Sequence, residues 1–205
     1  MNTTTYPSDV GQLLDILTYR RRHGSESEVD FIDAFIMPLK PQVFTSTKGE
    51  TLAYVVSVGE SSETLFSCHT DTVHRTSGVQ QIAYDPTTQF VYKATNPQDT
   101  ECLGADDGAG IWLLFQMIEA RVPGSYIFHR GEECGGIGSR GMGDYYAAGV
   151  RQFKRAVAFD RRGSTDVITH QARGRCCSDT FAHELAAMLN CCTVDDLKYE
   201  PSPEG

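Results

Sequence analysis

Short apolar stretches alternating with helical patterns run through this sequence, and they restrict it to a few architectures. QVFTST, TLAYVVSV, ETLFSC running into His69, and SYIFHR have the aromatic and β-branched content of strands. A Lys48-Gly49 turn separates the first two. Ahead of them, Leu13, Leu14, Ile16 and Leu17 form one face of a helix capped by Ser8 or Asp9 and stopped at Gly24. Ser25 and Glu28 then have capping-box spacing before Val29, Phe31, Ile32, Phe35 and Ile36, a second helix ending before Pro38. QIAYDPTTQFVYKA predicts a hairpin turning at Asp85-Pro86, and GIWLLFQMIEARV predicts a helix. Further on, GDYYAAG reads as a short helix, RAVAFD and DVITHQ as strands, and TFAHELAAMLN as a helix capped by Ser178 or Asp179. Strands alternating with helices predict an α/β fold with a mixed, mostly parallel central sheet flanked by helices.

Charge and length narrow the function classes. The 205 residues fit one domain, and a net charge of -9 offers no basic stripe to nucleic acid or to an anionic membrane. No apolar run approaches the roughly 20 residues of a membrane span. The start, MNTTTYPSD, lacks the basic and apolar regions of a signal peptide. Seven cysteines are an odd count, and Cys176-Cys177 and Cys191-Cys192 have neither C-x-x-C spacing nor a disulfide framework. Reduced thiols in a cytoplasm are the expectation.

The polar clusters all fall where strands end or helices begin. SCHTDTVH ends one strand, GADDGAG opens a helix, and RGEECGG and FDRRG each end a strand. In an open α/β sheet, sites lie outside the carboxyl ends of strands, so these four clusters can converge. His69 and Asp71 sit at H-x-D spacing, on one side of an extended chain. A metal-bound imidazole needs its second nitrogen hydrogen-bonded, usually to a carboxylate, and H-x-D supplies both groups. His74 lies past the strand and is the weaker candidate. In GADDGAG, Asp106 and Asp107 repel each other when ionised, and the stretch reads either as a turn with an Asp capping the next helix or as a ligand set for a multivalent cation. Glu132 and Glu133 follow an apolar strand and precede small residues. Adjacent carboxylates on a turn point apart, so one can bind metal while the other acts as general base. Asp160 offers a further oxygen ligand. A rival motif, Gly136 to Gly141, matches G-x-G-x-x-G and would make the protein a dinucleotide-binding oxidoreductase. Glu132 and Glu133 at the pyrophosphate site oppose that reading, and it leaves His69, Asp71 and Asp106 unexplained.

Together, HTDT, GADDGAG, GEECGGIGS and the Asp of FDRRG resemble, in that order, the co-catalytic di-zinc exopeptidases. That superfamily includes leucyl-type aminopeptidases, peptidase T, glutamate carboxypeptidase and the aminoacylases. The resemblance covers about residues 63 to 190, and the four motifs in conjunction make it specific. It implies that His69 and Asp160 ligate one zinc, that Asp71 orients His69, and that Asp106 bridges two zincs. Glu133 would ligate the second zinc and Glu132 would be the general base. It also implies a cis Asp106–Asp107 peptide. Two zincs, or cobalt or manganese in their place, would share a hydroxide and polarise the scissile carbonyl while Glu132 carries the proton.

Two departures shape the expectation further. Relatives with a lid or dimerisation domain insert it soon after the Asp matching Asp160. Here GSTDVITHQ and a capped helix follow at once, which favours a single catalytic domain like the aminopeptidase branch. The family also takes a last His ligand from near the end of its catalytic domain, but no His follows His183. His170 and His183 read as structural, and the chain stops at the loop-like YEPSPEG. The expectation is therefore a chain lacking its closing strand and helix, with one good zinc site, one weak site and very low hydrolysis. The activity implied is an aminopeptidase on short peptides. The alternatives are a carboxypeptidase, an amidohydrolase deacylating N-acyl amino acids, and a metal- or partner-binding domain without turnover.

Overall fold

The computed structural model describes residues 8–60, 63–94, 99–163, 167–171 and 174–189. Residues 1–160 and 161–205 form two compact units. In the first, the described elements are α1 (Ser8–Thr18), α2 (Glu26–Phe31), β1 (Gln42–Thr45), β2 (Thr51–Val58), β3 (Thr64–His69), β4 (Ile82–Asp85), β5 (Phe90–Lys93), α3 (Ala105–Glu119), β6 (Gly124–His129), α4 (Ile137–Tyr145), α5 (Ala147–Val150) and β7 (Arg155–Ala158). The fold is α/β, as the alternating pattern predicts.

Five strands make one sheet in the order β1-β2-β6-β3-β7. β1, β2 and β6 pair antiparallel, whereas β6, β3 and β7 pair parallel. After β3 the chain crosses through α3 to β6 on one side, then through α4 and α5 to β7 on the other. β3 therefore lies at a switch point, where parallel sheets open a crevice at their carboxyl ends. His69 is the last residue of β3.

Side-chain alternation sorts the apolar residues into two layers. Tyr126 and Phe128 of β6 face one layer with Tyr54, Cys68, Ile16, Phe31, Ile111 and Phe115. Ile127 faces the other with Leu52, Ala53, Leu65 and Met142 of α4. In α3, Ile111, Leu114, Phe115 and Ile118 recur at the three- and four-residue spacing of a helix lying on a sheet. Each such side chain fully buried contributes about 1.5–3 kcal/mol.

The structure departs from the sequence reading in several elements. The first helix ends at Thr18, short of Gly24, because the next residues are drawn into pairing. Arg20 N–H donates to Gly78 O (2.9 Å), and Tyr19 and Arg22 bridge to Val79 and Thr72. Its expected cap at Ser8 or Asp9 falls on side chains outside those described. The second helix does not stop cleanly before Pro38. It passes through a π turn at Ile32–Ile36 and a 3-10 turn at Met37–Leu39 that contains this proline. The hairpin turn is as expected, with Asp85 accepting from Thr87 N–H and the Thr88 hydroxyl, both at 2.9 Å.

In the second unit, the strand expected over DVITHQ is reduced to β8 (His170–Gln171), paired with β9 (Gly174–Arg175). The helix α6 (Asp179–Leu189) follows, and Ser178 rather than Asp179 caps it, accepting from Phe181 N–H at 3.2 Å. Cys191, Cys192 and the YEPSPEG tail lie outside the described residues. Cys68, Cys102, Cys134, Cys176 and Cys177 are free thiols. Among the described residues, no helix is long and apolar enough to cross a membrane.

Candidate metal centre

The carboxyl ends of the three parallel strands bring the polar clusters together. β3 delivers His69 and Asp71, β6 runs on into Glu132 and Glu133, and β7 runs on into Asp160. Asp106 enters at the start of α3. His69 Nε2 lies 3.0 Å from Asp106 Oδ1 and 3.9 Å from Asp160 Oδ2. His69, Asp106 and Asp160 thus offer three ligand atoms within 4.8 Å of one another, as do His69, Glu132 and Glu133.

The partners of His69 fix its orientation. Its Nδ1 faces the Asp71 carbonyl at 3.0 Å and the Asp71 carboxylate at 3.5 Å, so Nδ1 carries a proton. The Nε2 lone pair then looks out at two carboxylates. Acceptors so arranged repel unless a proton or a cation lies between them. Burial alone would lower the His69 pKa, but the Asp71 hydrogen bond and the nearby Asp107 and Asp160 charges raise it to about 10. Burial pushes Asp160 and Glu133 upward, and Asp106 adds to both by repulsion. One Glu133 carboxylate oxygen is buried without a hydrogen-bond partner. One imidazole and four carboxylates, one of them carrying that orphaned oxygen, form a donor set that fits divalent cations.

Asp71 does more than H-x-D spacing suggests. Its Oδ1 accepts from Glu132 N–H (3.0 Å) and its Oδ2 from Glu133 N–H (3.2 Å). One buried carboxylate thereby holds the His69 ring and the Glu132-Glu133 turn at once. Burial works to raise its pKa, yet the bonds from His69 and Glu132 hold it below the usual carboxylate range.

Asp107 has a separate task that the sequence reading missed. The Asp106–Asp107 peptide is cis. Asp106 is exposed to the cluster, while Asp107 is buried and accepts from His69 N–H (3.2 Å) and Gly110 N–H (3.1 Å). Burial, helped by Asp160 and opposed by His69, pushes its pKa up to about 8. The small residues of GADDGAG now have reasons. A Cβ at Gly110 would stand 2.0 Å from Asp107 Oδ1, and one at Gly108 would stand 2.9 Å from Leu17 and 3.0 Å from Arg21 Nη2.

Glu28 is a second residue whose part was not legible. Ser25 does cap α2, accepting from Glu28 N–H at 3.3 Å, but the Glu28 carboxylate turns to other partners. It accepts from Gly24 N–H (2.7 Å), from the Thr70 hydroxyl (2.9 Å), and from Arg130 through Nε (3.1 Å) and Nη2 (2.6 Å). The weaker histidine candidates bond to other partners. His74 is buried between Thr72 Oγ1 (2.6 Å) and Gln80 Oε1 (3.3 Å), and His170 Nδ1 meets Thr169 Oγ1 (2.9 Å). His183 lies exposed in α6. The G-x-G-x-x-G stretch is used for packing. Gly138 and Gly141 let α4 rest on Leu52, and a Cβ at Gly138 would meet Leu52 O at 2.3 Å.

No protein-family model matches this chain, and no curated protein matches it in sequence. Among solved structures it is similar to a tripeptidase from Staphylococcus aureus subsp. aureus Mu50, with a TM-score of 0.58 at 18% identity. The match covers 80% of this chain and 46% of the tripeptidase, so the chain spans just under half of that protein. An M20 family metallo-carboxypeptidase from Sulfolobus solfataricus matches at a TM-score of 0.43 and 14% identity, over 83% of this chain and 39% of that one. The likeness to the tripeptidase is one of fold, and it agrees with the α/β architecture that the four motifs imply.

Proposed function

We propose that this chain carries the metal site of a divalent-metal-dependent exopeptidase, most simply a zinc aminopeptidase acting on short peptides. The observation that carries the reading is the convergence of His69, Asp106, Asp160, Glu132 and Glu133 at the switch point of the sheet. The tripeptidase of like fold supports a peptide as substrate. His69, Asp106 and Asp160 would hold one ion, and Asp106 and Glu133 would share in holding a second. When bound, such ions supply Lewis acidity toward a scissile carbonyl and ease the deprotonation of water. Glu132 is exposed beside the cluster, and its backbone is fixed by Asp71. Its carboxylate takes a proton from the attacking water and returns it to the amine nitrogen as the C–N bond breaks.

The test separates base from ligand. In a longer form of the protein with measurable turnover, Glu132→Gln should leave zinc content nearly unchanged and lower tripeptide hydrolysis by about 10²–10⁴-fold. Glu133→Gln should lower both zinc content and rate. Near-normal turnover in Glu132→Gln would exclude it as the base. Zinc binding with no hydrolysis of aminoacyl, N-acyl or carboxyl-terminal substrates would leave a binding domain without turnover.

A further inference from the structure

Arg21 is fully buried, in the chain segment between α1 and α2. Its guanidinium donates to carbonyls from three separate segments: Nη1 to Ile16 O (3.0 Å), Nε to Thr70 O (2.8 Å) and Nη2 to Gly104 O (3.1 Å). Its Cζ stands 4.9 Å from the Phe31 ring centroid. Among the described residues it has no direct ion pair. A buried ion held only by neutral acceptors is expensive to desolvate, and an apolar side chain of similar size would escape that cost while leaving the carbonyls without this donor. What a guanidinium adds is a rigid fork that can hold two carbonyls at a set separation.

Those two carbonyls belong to the candidate metal centre. Thr70 is the residue between His69 and Asp71, and Gly104 stands two residues before Asp106. The Gly104 carbonyl also accepts from Gly108 N–H (3.2 Å), the bond that closes the first turn of α3 on its N-cap. Thr70 is gripped at every polar atom. Its N–H donates to His129 O (2.8 Å), its hydroxyl donates to Glu28 (2.9 Å), and its carbonyl accepts from Arg21.

We propose that Arg21 is a positioning residue for the metal centre, its fork setting the distance between the His69–Asp71 strand end and the Asp106 helix start. This rests on reading the cluster as a metal site. It adds a residue from the segment between the two amino-terminal helices that touches none of the ligand atoms.

The experiment uses the whole 205-residue chain and two independent variants. Arg21→Lys keeps a nitrogen donor but cannot hold both carbonyls in one plane. Gly108→Ala keeps the guanidinium and crowds it, since the new Cβ would lie 3.0 Å from Nη2. Each variant is first shown to melt cooperatively. Without metal, nitrogen NMR of the His69 ring reads its orientation toward Asp71. With metal, zinc affinity is measured against a competing chelator, and cobalt loading gives a visible spectrum that reports ligand geometry. In both variants we expect a shifted His69 signal, an altered cobalt spectrum and zinc affinity lowered by about 10–100-fold, as for other outer partners of metal ligands. If Arg21→Lys does not fold, Gly108→Ala decides alone. Wild-type His69 signals, cobalt spectrum and zinc affinity in folded variants would overturn the proposal and leave Arg21 a packing residue. A wild-type chain that binds no zinc, with His69 still shifted in the variants, would sink the metal reading and leave the positioning role standing.

Discussion

A single carboxylate, Asp71, joins three parts of the site. It faces the His69 ring and accepts the backbone N–H groups of Glu132 and Glu133. Asp71→Asn keeps the size and loses the charge, and its NH₂ cannot accept from a second donor. Two consequences should appear together. Zinc affinity should fall by about 10–100-fold through a loosened His69. Stability should fall by about 1–3 kcal/mol even without metal, because a buried N–H of the glutamate turn loses its acceptor. Chelator competition measures the first and a metal-free melt the second. A variant that binds zinc weakly but melts like wild type would confine Asp71 to orienting His69. Asp107 makes the corresponding bond to the His69 backbone, so His69 is held by neighbouring carboxylates at both ring and main chain.

At the scale of elements, the glutamate turn depends on how α4 docks. Arg130 N–H donates to Leu52 O (3.0 Å), and Gly138 N–H donates to Arg130 O (2.8 Å), which ties β2, the exit of β6 and the first turn of α4 together. There is no room for a side chain in that seam. Gly138→Ala should destabilise by at least about 1–3 kcal/mol, because its Cβ would meet backbone oxygens rather than a movable side chain. Gly143 lies in the same helix with nothing within 4 Å of its would-be Cβ. Gly143→Ala should stabilise by about 0.5–1 kcal/mol through helix propensity alone. Thermal melts of the two variants side by side check the contrast. Equal and small effects would show that α4 does not pack on Leu52 as described.

For the protein taken entire, acid sensitivity should begin above the usual carboxylate range. His129 stands beside His69 in the β3–β6 register, with its Nδ1 buried and without a hydrogen-bond partner. Burial, aided by the His69 charge, lowers its pKa from 6.5 to about 4. Above 6.5 the folded and unfolded chains are both neutral at this residue. As the pH falls from 6.5 toward 4, the unfolded chain takes up the proton first and the fold loses stability. Below that window the loss reaches roughly 3 kcal/mol, since each tenfold difference in proton affinity between the two states is worth about 1.4 kcal/mol. His129→Leu should flatten the stability profile across that window and leave it little changed above it. Denaturant melts at a series of pH values measure the slope, and parallel profiles for the two proteins would refute the assignment. His74, also lowered by burial, adds in the same direction.

Local sequence was enough to place the central strands and to mark the residues that converge in the cluster. Apolar alternation located β2, β3 and β6 to within a residue or two, because strands buried on both faces admit few other patterns. H-x-D, D-D and E-E at element ends marked His69, Asp71, Asp106, Glu132 and Glu133, and the strand end at FDRRG marked Asp160; adjacent like charges are tolerated chiefly where a cation or a buried partner offsets them. What stands behind those residues came only with the packed chain. Arg21 sits in the run Tyr19-Arg20-Arg21-Arg22-His23, where nothing local tells a buried fork from a solvated one. Burial comes from the packing of α1 against α3, and its acceptors, Thr70 and Gly104, lie 49 and 83 residues away. Glu28 read as a cap because capping is a local signal, whereas its bond to Arg130 spans 102 residues. The glycines from Gly136 to Gly141 likewise matched a phosphate-binding pattern, and those of GADDGAG marked only the opening of a helix. Their roles depend on Asp107, Arg21 and Leu52 pressing against them, and only folding brings those atoms near.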